Sequence, residues 1–205
     1  MHSTDRLLRA LEHAPVRPFS GFVYRIIAER HRDSPLSAIG SVRSGGRYNP
    51  PNTFPVLYCA DSQMTALLEV EALFTTSDGQ LKGSPRDPDL VLSLRCDLVR
   101  VLDLTDDAFL GELGTSQEEL VSLTPSRFIL NARGEETPTQ ILGAACSFSG
   151  SISALKVPSA ANGHGHCLNI LPDSLLSGEQ IMILDDSGRI KAQIDGVIPP
   201  PKRLG

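Results

Sequence analysis

The most informative stretch of the chain runs from residue 44 to residue 74 and reads SGGRYNPPNTFPVLYCADSQMTALLEVEALF. Gly45 and Gly46 permit backbone dihedrals that other residues avoid, so the main chain can approach a ligand closely at this turn. Arg47 follows directly and carries a planar fork of donors that suits a pyrophosphate. The turn predicts a site for an anionic, phosphate-bearing ligand, although a double glycine taken alone is more often only a turn.

The residues after this turn predict a short strand and then a helix. Prolines first interrupt the chain, residues 56–60 form a buried strand-like run, and Asp61 or Ser62 can cap the helix. Tyr48 and Tyr58 supply flat apolar faces with a polar end, which fits a ligand that carries a ring. A tyrosine in an apolar run is also typical of a protein core, so Tyr58 keeps that second interpretation.

The helix carries two carboxylates, and its periodicity distinguishes between them. Apolar residues go nearly all the way round it, which predicts a buried helix. At about 100° per residue, Glu69 lies beside Thr65 on one narrow polar stripe, whereas Glu71 lies among Met64 and Leu67. The pattern favours Glu69 as the carboxylate that faces a polar site, and it leaves Glu71 open as an alternative or as a side chain that reaches solvent.

The composition is that of an ordinary globular protein. The chain has 205 residues, of which 40% are hydrophobic and 21% are charged, and this is enough for one sizeable core. We expect a single domain over residues 1–205, with a short N-terminal helix and a proline-rich C-terminal tail. The net charge of −5 at pH 7 argues against an extended surface for phosphate backbones, so direct nucleic-acid binding is not expected.

Cysteine spacing and hydropathy indicate the cellular compartment in which the protein acts. The cysteines at 59, 96, 146 and 167 lack the paired spacing of zinc or redox motifs, which indicates buried free thiols in a reducing environment. The first thirteen residues are charged throughout, and nowhere do about 18 apolar residues run together. The sequence therefore predicts a soluble, cytoplasmic protein that does not associate with a membrane.

Hydrophobic patterning predicts an α+β fold, because strands outnumber helices and do not alternate regularly with them. The predicted strands are 21–27, 56–60, 90–96, 99–104, 151–157, 167–171, 180–184 and 189–194. One predicted helix ends at about Glu12, a second follows Ser62 and a third spans 138–147. The acidic segment 105–124 is predicted to be peripheral.

The first strand carries Arg25 in an apolar run, where a charge is costly unless it reaches solvent or faces an anion. The spacings of dinucleotide-binding and P-loop motifs do not occur at the glycine turn, which excludes those classes.

A second cluster follows the strand that ends at Pro158. Ser159 can present its hydroxyl to a ligand there, although the local sequence favours a turn-stabilising hydrogen bond. It lacks the flanking glycines of a hydrolase nucleophile. His164 and His166 lie on a glycine turn without recognisable partner ligands, so no metal site is predicted.

Taken together and in this order, the motifs resemble the RES domain family, which is named after an arginine, a glutamate and a serine. The resemblance covers about residues 20 to 195. It rests on YR at 24–25, GGRYNP at 45–50, LYCADS at 57–62, ALLE at 66–69, PTQILG at 138–143 and VPSA at 157–160.

The resemblance implies a fold similar to ADP-ribosyltransferases of the diphtheria-toxin kind and a role as the toxin of a type II toxin–antitoxin pair. Such toxins deplete NAD by hydrolysis, by phosphorolysis or by ADP-ribosyl transfer, and an Xre-type antitoxin is the implied partner. No metal or separate cofactor is implied, since NAD is the substrate. The implied catalytic residues are Arg47, Glu69 and Ser159, and the implied NAD-binding residues are Arg25, Arg47, Tyr48, Tyr58 and Ser159.

Physical chemistry agrees with these roles. Cleavage of the nicotinamide–ribose bond creates a positively charged sugar, which a carboxylate such as Glu69 stabilises more than it stabilises the substrate. The two arginines would hold the pyrophosphate, a tyrosine would stack on the nicotinamide ring, and Ser159 would hydrogen-bond the ribose or the amide. The alternative hypothesis is a catalytically silent module that binds a nucleotide or ADP-ribose.

Overall fold

A computed structural model of the protein describes residues 4–76, 80–84, 89–122 and 126–198. Its strands are β1 (Val16–Ala28), β2 (Leu57–Ala60), β3 (Leu73–Thr75), β4 (Leu81–Gly83), β5 (Asp89–Asp103), β6 (Ala154–Pro158), β7 (His166–Ile170), β8 (Gln180–Leu184) and β9 (Gln193–Asp195). Its helices are α1 (Thr4–Glu12), α2 (Ile39–Ser44), α3 (Gln63–Glu69), α4 (Asp107–Leu113), α5 (Gln117–Val121), α6 (Ser126–Ala132) and α7 (Pro138–Ser149). The predicted proline-rich tail lies outside the described residues, apart from its first residue.

Five strands close into a ring. They follow the order β1, β2, β7, β6 and β5, and β5 pairs back onto β1 in antiparallel register from Val16 with Leu102 to Ala28 with Asp89. The pairing of β5 with β6 is parallel, while the other neighbours in the ring are antiparallel. β8 pairs with β5 and carries β9 outward from the ring. The fold is therefore a mixed α+β arrangement around a barrel-like core.

The inside of the ring is filled by alternate residues of its strands. β5 buries Leu92, Leu94, Cys96 and Leu98 while the residues between them are more exposed, as expected when successive side chains point to opposite faces. These four pack in one cluster with residues that β1, β2, β6, β7 and β8 contribute, among them Val23, Leu57, Ala154, Leu168 and Ile181.

A second apolar cluster lies where helices cover the ring. α1 contributes Leu7 and Leu11, α7 contributes Leu142, and these pack with Leu155 of β6 and with Tyr48 from the glycine turn. α7 begins with a capping box: the Thr137 side chain accepts from the Gln140 amide, and the Gln140 side chain accepts from the Thr137 amide. Through the shared cluster, this helix packs against the turn that carries the predicted site.

Some sequence-based predictions are wrong in their boundaries. The two strands predicted at 90–96 and 99–104 are one strand, β5, because pairing with β1 continues through both runs. β1 begins at Val16 rather than at residue 21, and the register shift between Arg17 and Phe19 accommodates Pro18.

Two further expectations fail because of tertiary packing. The segment 105–124 is not peripheral: α4 and α5 bury Phe109, Leu110, Leu113 and Leu120 in the second cluster. α3 is not a fully buried helix, because only Thr65 and Ala66 are buried in it and Met64 is 43% exposed.

Within the described ranges, no helix combines the length and the apolar composition that crossing a lipid bilayer requires.

Candidate active site

The candidate site lies where the ring of strands is split. β1 and β2 meet through one register pair, Tyr24 with Ala60, and their ladder does not continue beyond it. Arg25 spans the resulting gap: its Nη1 donates to the Tyr58 carbonyl at 3.4 Å and its Nη2 to the Ser37 carbonyl at 3.1 Å. Burial lowers the pKa of Arg25, as expected for a guanidinium withdrawn from water. A cavity of about 410 Å³ opens beside this arginine.

Four of the six predicted site residues line this cavity: Arg25, Arg47, Tyr58 and Glu69. They come from β1, the glycine turn, β2 and the last position of α3, so the cavity depends on four separate segments of the chain. Tyr48 and Ser159 lie next to the cavity but are not in its wall. The volume is within the range of pockets that hold small organic ligands, about 300–1,000 Å³.

The glycine turn is shaped by close contact with Tyr58. A Cβ atom on Gly46 would lie 2.2 Å from the Tyr58 hydroxyl oxygen, so no larger residue fits there. Gly45 has a φ of 66° and ends α2 in a conformation that favours glycine. The Tyr58 hydroxyl accepts from the Tyr48 amide at 3.0 Å and donates to the Asn49 side chain at 2.8 Å. The ring of Tyr58 is thereby fixed against the turn.

Gln140 of α7 is a residue of the site that sequence reasoning missed. It is fully buried, and its Nε2 donates to the carbonyls of Gly46 at 3.0 Å and Asn49 at 3.3 Å. Gly143, one turn later, packs against the Tyr48 carbonyl so closely that a Cβ would lie 1.8 Å from that oxygen. The PTQ motif was visible in the sequence, but a contact across more than 90 residues was not.

Arg47 is oriented by the end of α5. Its Nη1 donates to the Leu120 carbonyl at 3.1 Å and the Ser122 carbonyl at 3.2 Å, which belong to the last turn and cap of that helix, where carbonyls lack partners within the helix. A guanidinium has five N–H donors, and these two bonds use a single nitrogen. Arg47 also lines a second pocket of about 220 Å³ that carries the hydroxyl residues Thr115 and Thr139.

Glu69 is held by the loop that follows β6. Its Oε1 accepts from the Ser159 hydroxyl at 2.5 Å, from the Ala160 amide at 2.9 Å and from the Ala161 amide at 3.2 Å. The residue is exposed and lines the cavity. Glu71, which the helical periodicity placed within the helix and left open, lies beyond the end of α3 with a φ of 56° and is not in the cavity wall. Glu69 is thus the carboxylate of this pair that lines the cavity.

Ser159 lies behind Glu69 and is 4% exposed. While its hydroxyl donates to Glu69, it accepts from the Ala161 amide at 3.3 Å and the Asn162 amide at 2.9 Å. Both alternatives for Ser159 are therefore present, because its hydroxyl accepts turn-stabilising hydrogen bonds and also donates to a residue that lines the cavity. The predicted polar stripe of α3 is also present, because Thr65 accepts from the Asn162 side chain at 2.9 Å.

Tyr48 is the predicted site residue whose side chain the structure keeps away from the cavity. It is 1% exposed in the second apolar cluster, and its hydroxyl has no hydrogen-bond partner within the described part of the chain. Burial raises its pKa. The contact of Gly143 with the Tyr48 carbonyl draws this residue into the core, so its backbone rather than its ring adjoins the site.

Two residues of β7 line the cavity although the sequence did not place them at the site, and one of them, Cys167, is not buried as the sequence predicted. Cys167 is partly exposed, and burial together with the neighbouring Glu69 carboxylate raises its pKa. Asn169 is 1% exposed and pairs with Tyr58 across the strands. The other cysteines, at 59, 96 and 146, are buried free thiols as predicted.

An arginine, a glutamate and a serine from three separate motifs thus meet at one cleft. The sequence model of the RES domain matches residues 22–191, and the chain belongs to the RES domain family.

Two comparisons extend this assignment. The NAD(+) phosphorylase MbcT of Mycobacterium bovis and its counterparts from two Mycobacterium tuberculosis strains are each 36% identical to this chain over 97 residues. The matched region spans 45% of this chain and 45% of each relative's length. A chain of the crystal structure of the M. tuberculosis MbcT–MbcA toxin–antitoxin complex has a TM-score of 0.53 and 23% sequence identity, covering 95% of this chain and 93% of that one. This second likeness shows that the two chains share a fold.

Proposed function

We propose that this protein consumes NAD by cleaving the bond between nicotinamide and ribose, and that it is the toxin of a type II toxin–antitoxin pair. The observation that carries the proposal is Glu69, whose carboxylate three donors hold at the wall of a ligand-sized cavity. A fixed negative charge is what the cationic sugar of this transition state requires. The relatives named NAD(+) phosphorylase support the same reaction.

The rest of the site has matching roles. Arg47 and Arg25 line the cavity and provide positive charge for the pyrophosphate of NAD. Arg25 also bonds to carbonyls across the split between β1 and β2, so its side chain both spans the cleft and gives it a positive charge. Tyr58 offers its ring face to the nicotinamide. A split sheet that holds NAD fits an ADP-ribosyltransferase-like fold, which we propose for this chain.

Ser159 acts in this proposal as a positioning residue. It is buried and outside the cavity wall, so it serves the reaction through Glu69 and not by touching the ribose. Its hydroxyl donates to Glu69 while two loop amides donate to it, which couples the carboxylate to a rigid turn. Preorganised donors of this kind cost no reorganisation at the moment of reaction.

Phosphate is the acceptor that we propose. The bond between the anomeric carbon and the ring nitrogen breaks, and its electron pair neutralises the pyridinium, which leaves as nicotinamide. A phosphate oxygen then forms the new bond to the anomeric carbon and gives ADP-ribose 1″-phosphate. Water in the same place would give ADP-ribose, and a protein side chain would give an ADP-ribosylated protein. The name of the relatives favours phosphate among the three.

The deciding experiment incubates the purified chain with NAD, with and without inorganic phosphate, and measures free nicotinamide and the sugar product. We expect nicotinamide release that depends on phosphate and equals the ADP-ribose 1″-phosphate formed. Release without phosphate dependence would replace phosphorolysis by hydrolysis or transfer. The absence of any nicotinamide would leave the silent binding module as the function.

The toxin role is tested in cells. Induced alone in a bacterium, the chain should lower the NAD level and arrest growth, whereas Glu69→Gln, produced to the same level, should do neither. An Xre-type antitoxin is the proposed partner, and co-expression with it should restore both NAD and growth. Growth arrest at a normal NAD level would indicate modification of a specific protein instead.

A further inference from the structure

The floor of the cavity contains a buried polar group that the proposed mechanism does not use. Asn169 lies in β7, lines the cavity and is 1% exposed. Its Oδ1 has no hydrogen-bond partner within the described part of the chain. Buried polar side chains are hydrogen-bonded in the large majority of cases, so an orphaned acceptor in a cavity wall points to a ligand group as its partner.

Asn169 is also held rigidly. Its backbone lies between two strands, opposite Tyr58 of β2 on one side and Leu155 of β6 on the other. Directly opposite residues share a face of the sheet, so Asn169 and Tyr58 form one continuous surface of the cavity. A polar group on a strand that is paired along both edges is more precisely placed than one on a loop.

The position of Asn169 relative to Glu69 indicates which ligand group it meets. Cys167 and Glu69 line the same cavity, and the Glu69 carboxylate contributes to raising the pKa of the Cys167 thiol. Asn169 is two residues beyond Cys167 on β7, so the Cα atoms of these two residues are about 7 Å apart. In NAD, the ring that carries the carboxamide is bonded directly to the anomeric carbon. The ribose hydroxyls are attached to the sugar beside the anomeric carbon, whereas the carboxamide lies across the pyridine ring from it. The carboxamide is therefore the polar group of the substrate that can meet Asn169 when Glu69 faces the anomeric carbon.

We propose that Asn169 is a specificity-determining residue that hydrogen-bonds the carboxamide of the nicotinamide ring; this inference rests on the proposed function. Its Oδ1 accepts from the carboxamide NH₂. An asparagine and a primary carboxamide each carry both donors and acceptors, so the two groups match. A carboxylate in place of the carboxamide would bring only acceptors, and a second negative charge, close to Glu69.

The test compares kcat/KM for NAD with that for 3-acetylpyridine adenine dinucleotide, in which a methyl ketone replaces the carboxamide and removes its N–H donors. The wild-type chain should prefer NAD by about tenfold, the size of one well-made hydrogen bond. Asn169→Ala should lose about tenfold on NAD and little on the analogue, so that the preference disappears. Cys167→Ala is the matched control, because it alters the same face of β7 and should affect both substrates by the same factor.

The outcomes separate this inference from the function on which it rests. Equal losses on both substrates in Asn169→Ala would give Asn169 a structural role and overturn the inference. A wild-type chain that cleaves NAD and the analogue equally well would also overturn the inference. This comparison needs no variant, so the test remains valid if Asn169→Ala does not fold. Asn169→Ser removes less side-chain volume than Asn169→Ala, and it should show the same loss of preference for NAD over the analogue. A wild-type chain that releases neither nicotinamide from NAD nor 3-acetylpyridine from the analogue would overturn both proposals.

Discussion

At the scale of single residues, the site depends on how one carboxylate is held. Glu69 lies at the end of a short helix, and one oxygen of its carboxylate accepts three hydrogen bonds from one loop. A side chain bound in this way has a defined direction even though it is exposed. Glu71, two residues later, lacks this loop contact because the helix has already ended.

We expect Glu69→Gln to keep the fold and NAD binding but to lose most turnover, because the amide keeps the shape and removes the charge that stabilises the sugar cation. A loss of about 10²-fold or more in kcat is the expected magnitude. Glu71→Gln is the control and should retain wild-type turnover. The reverse pattern, with an active Glu69→Gln and an inactive Glu71→Gln, would assign catalysis to the other carboxylate.

We expect Arg47→Ala to weaken NAD binding by about 10- to 100-fold, which corresponds to the loss of hydrogen bonds to a charged group. Arg47→Lys should recover little, because an ammonium cannot reproduce the fork. Calorimetric titration with NAD on the Glu69→Gln background measures this, and the exposed neighbour Arg43, changed to alanine, is the control. An unchanged Kd in Arg47→Ala would remove the pyrophosphate role.

At the scale of elements, α7 locks the glycine turn in place. Gln140 bonds two of the turn's carbonyls, and Gly143 leaves room for the Tyr48 carbonyl. The capping box is a local feature of the helix, whereas its glutamine also donates to carbonyls of a distant segment. One side chain therefore begins a helix and shapes the candidate site.

We expect Gly143→Ala to destabilise the protein by about 1–3 kcal/mol or more, because its Cβ would meet backbone that cannot move away. Gly111→Ala in α4 is the matched control. Nothing lies within 4 Å of a Cβ there, so alanine should stabilise that helix by about 0.5–1 kcal/mol. Urea unfolding of both variants gives the comparison, and equal effects would show that α7 does not pack tightly on the turn.

At the scale of the whole molecule, Glu179 joins the ring of strands to the segment before β8. It is 1% exposed and accepts from the Ser153 hydroxyl, from the Val99 amide at 2.6 Å and from the Leu176 amide at 2.7 Å. Arg100 lies 3.5 Å away. Burial alone would raise the pKa of Glu179, but these hydrogen bonds and the arginine outweigh it and lower the pKa.

This pKa shift predicts how stability depends on pH. Since the folded pKa lies below the ordinary value of 4.5, the unfolded chain binds the proton more tightly. The stabilisation is therefore fully present above about pH 5 and is lost as the pH falls through the folded pKa. The free energy of unfolding of Glu179→Gln should be lower than that of the wild type by about 3–5 kcal/mol at pH 7. This gap should narrow towards pH 3, whereas the exposed control Glu112→Gln should show no gap. A gap that stays constant with pH would contradict the assignment.

The sequence alone predicted the local features: α1, α7, β2, β8, the α+β class, and a preference for Glu69 that left Glu71 open as an alternative. These follow from spacing and capping, which act within a few residues. The folded structure was needed to show that β1 and β5 close the ring, that α4 and α5 enter the core, that the Tyr48 side chain is buried and that Asn169 lines the cavity. These outcomes depend on contacts between distant segments, because the energy of burial depends on which surfaces meet and not on their order along the chain.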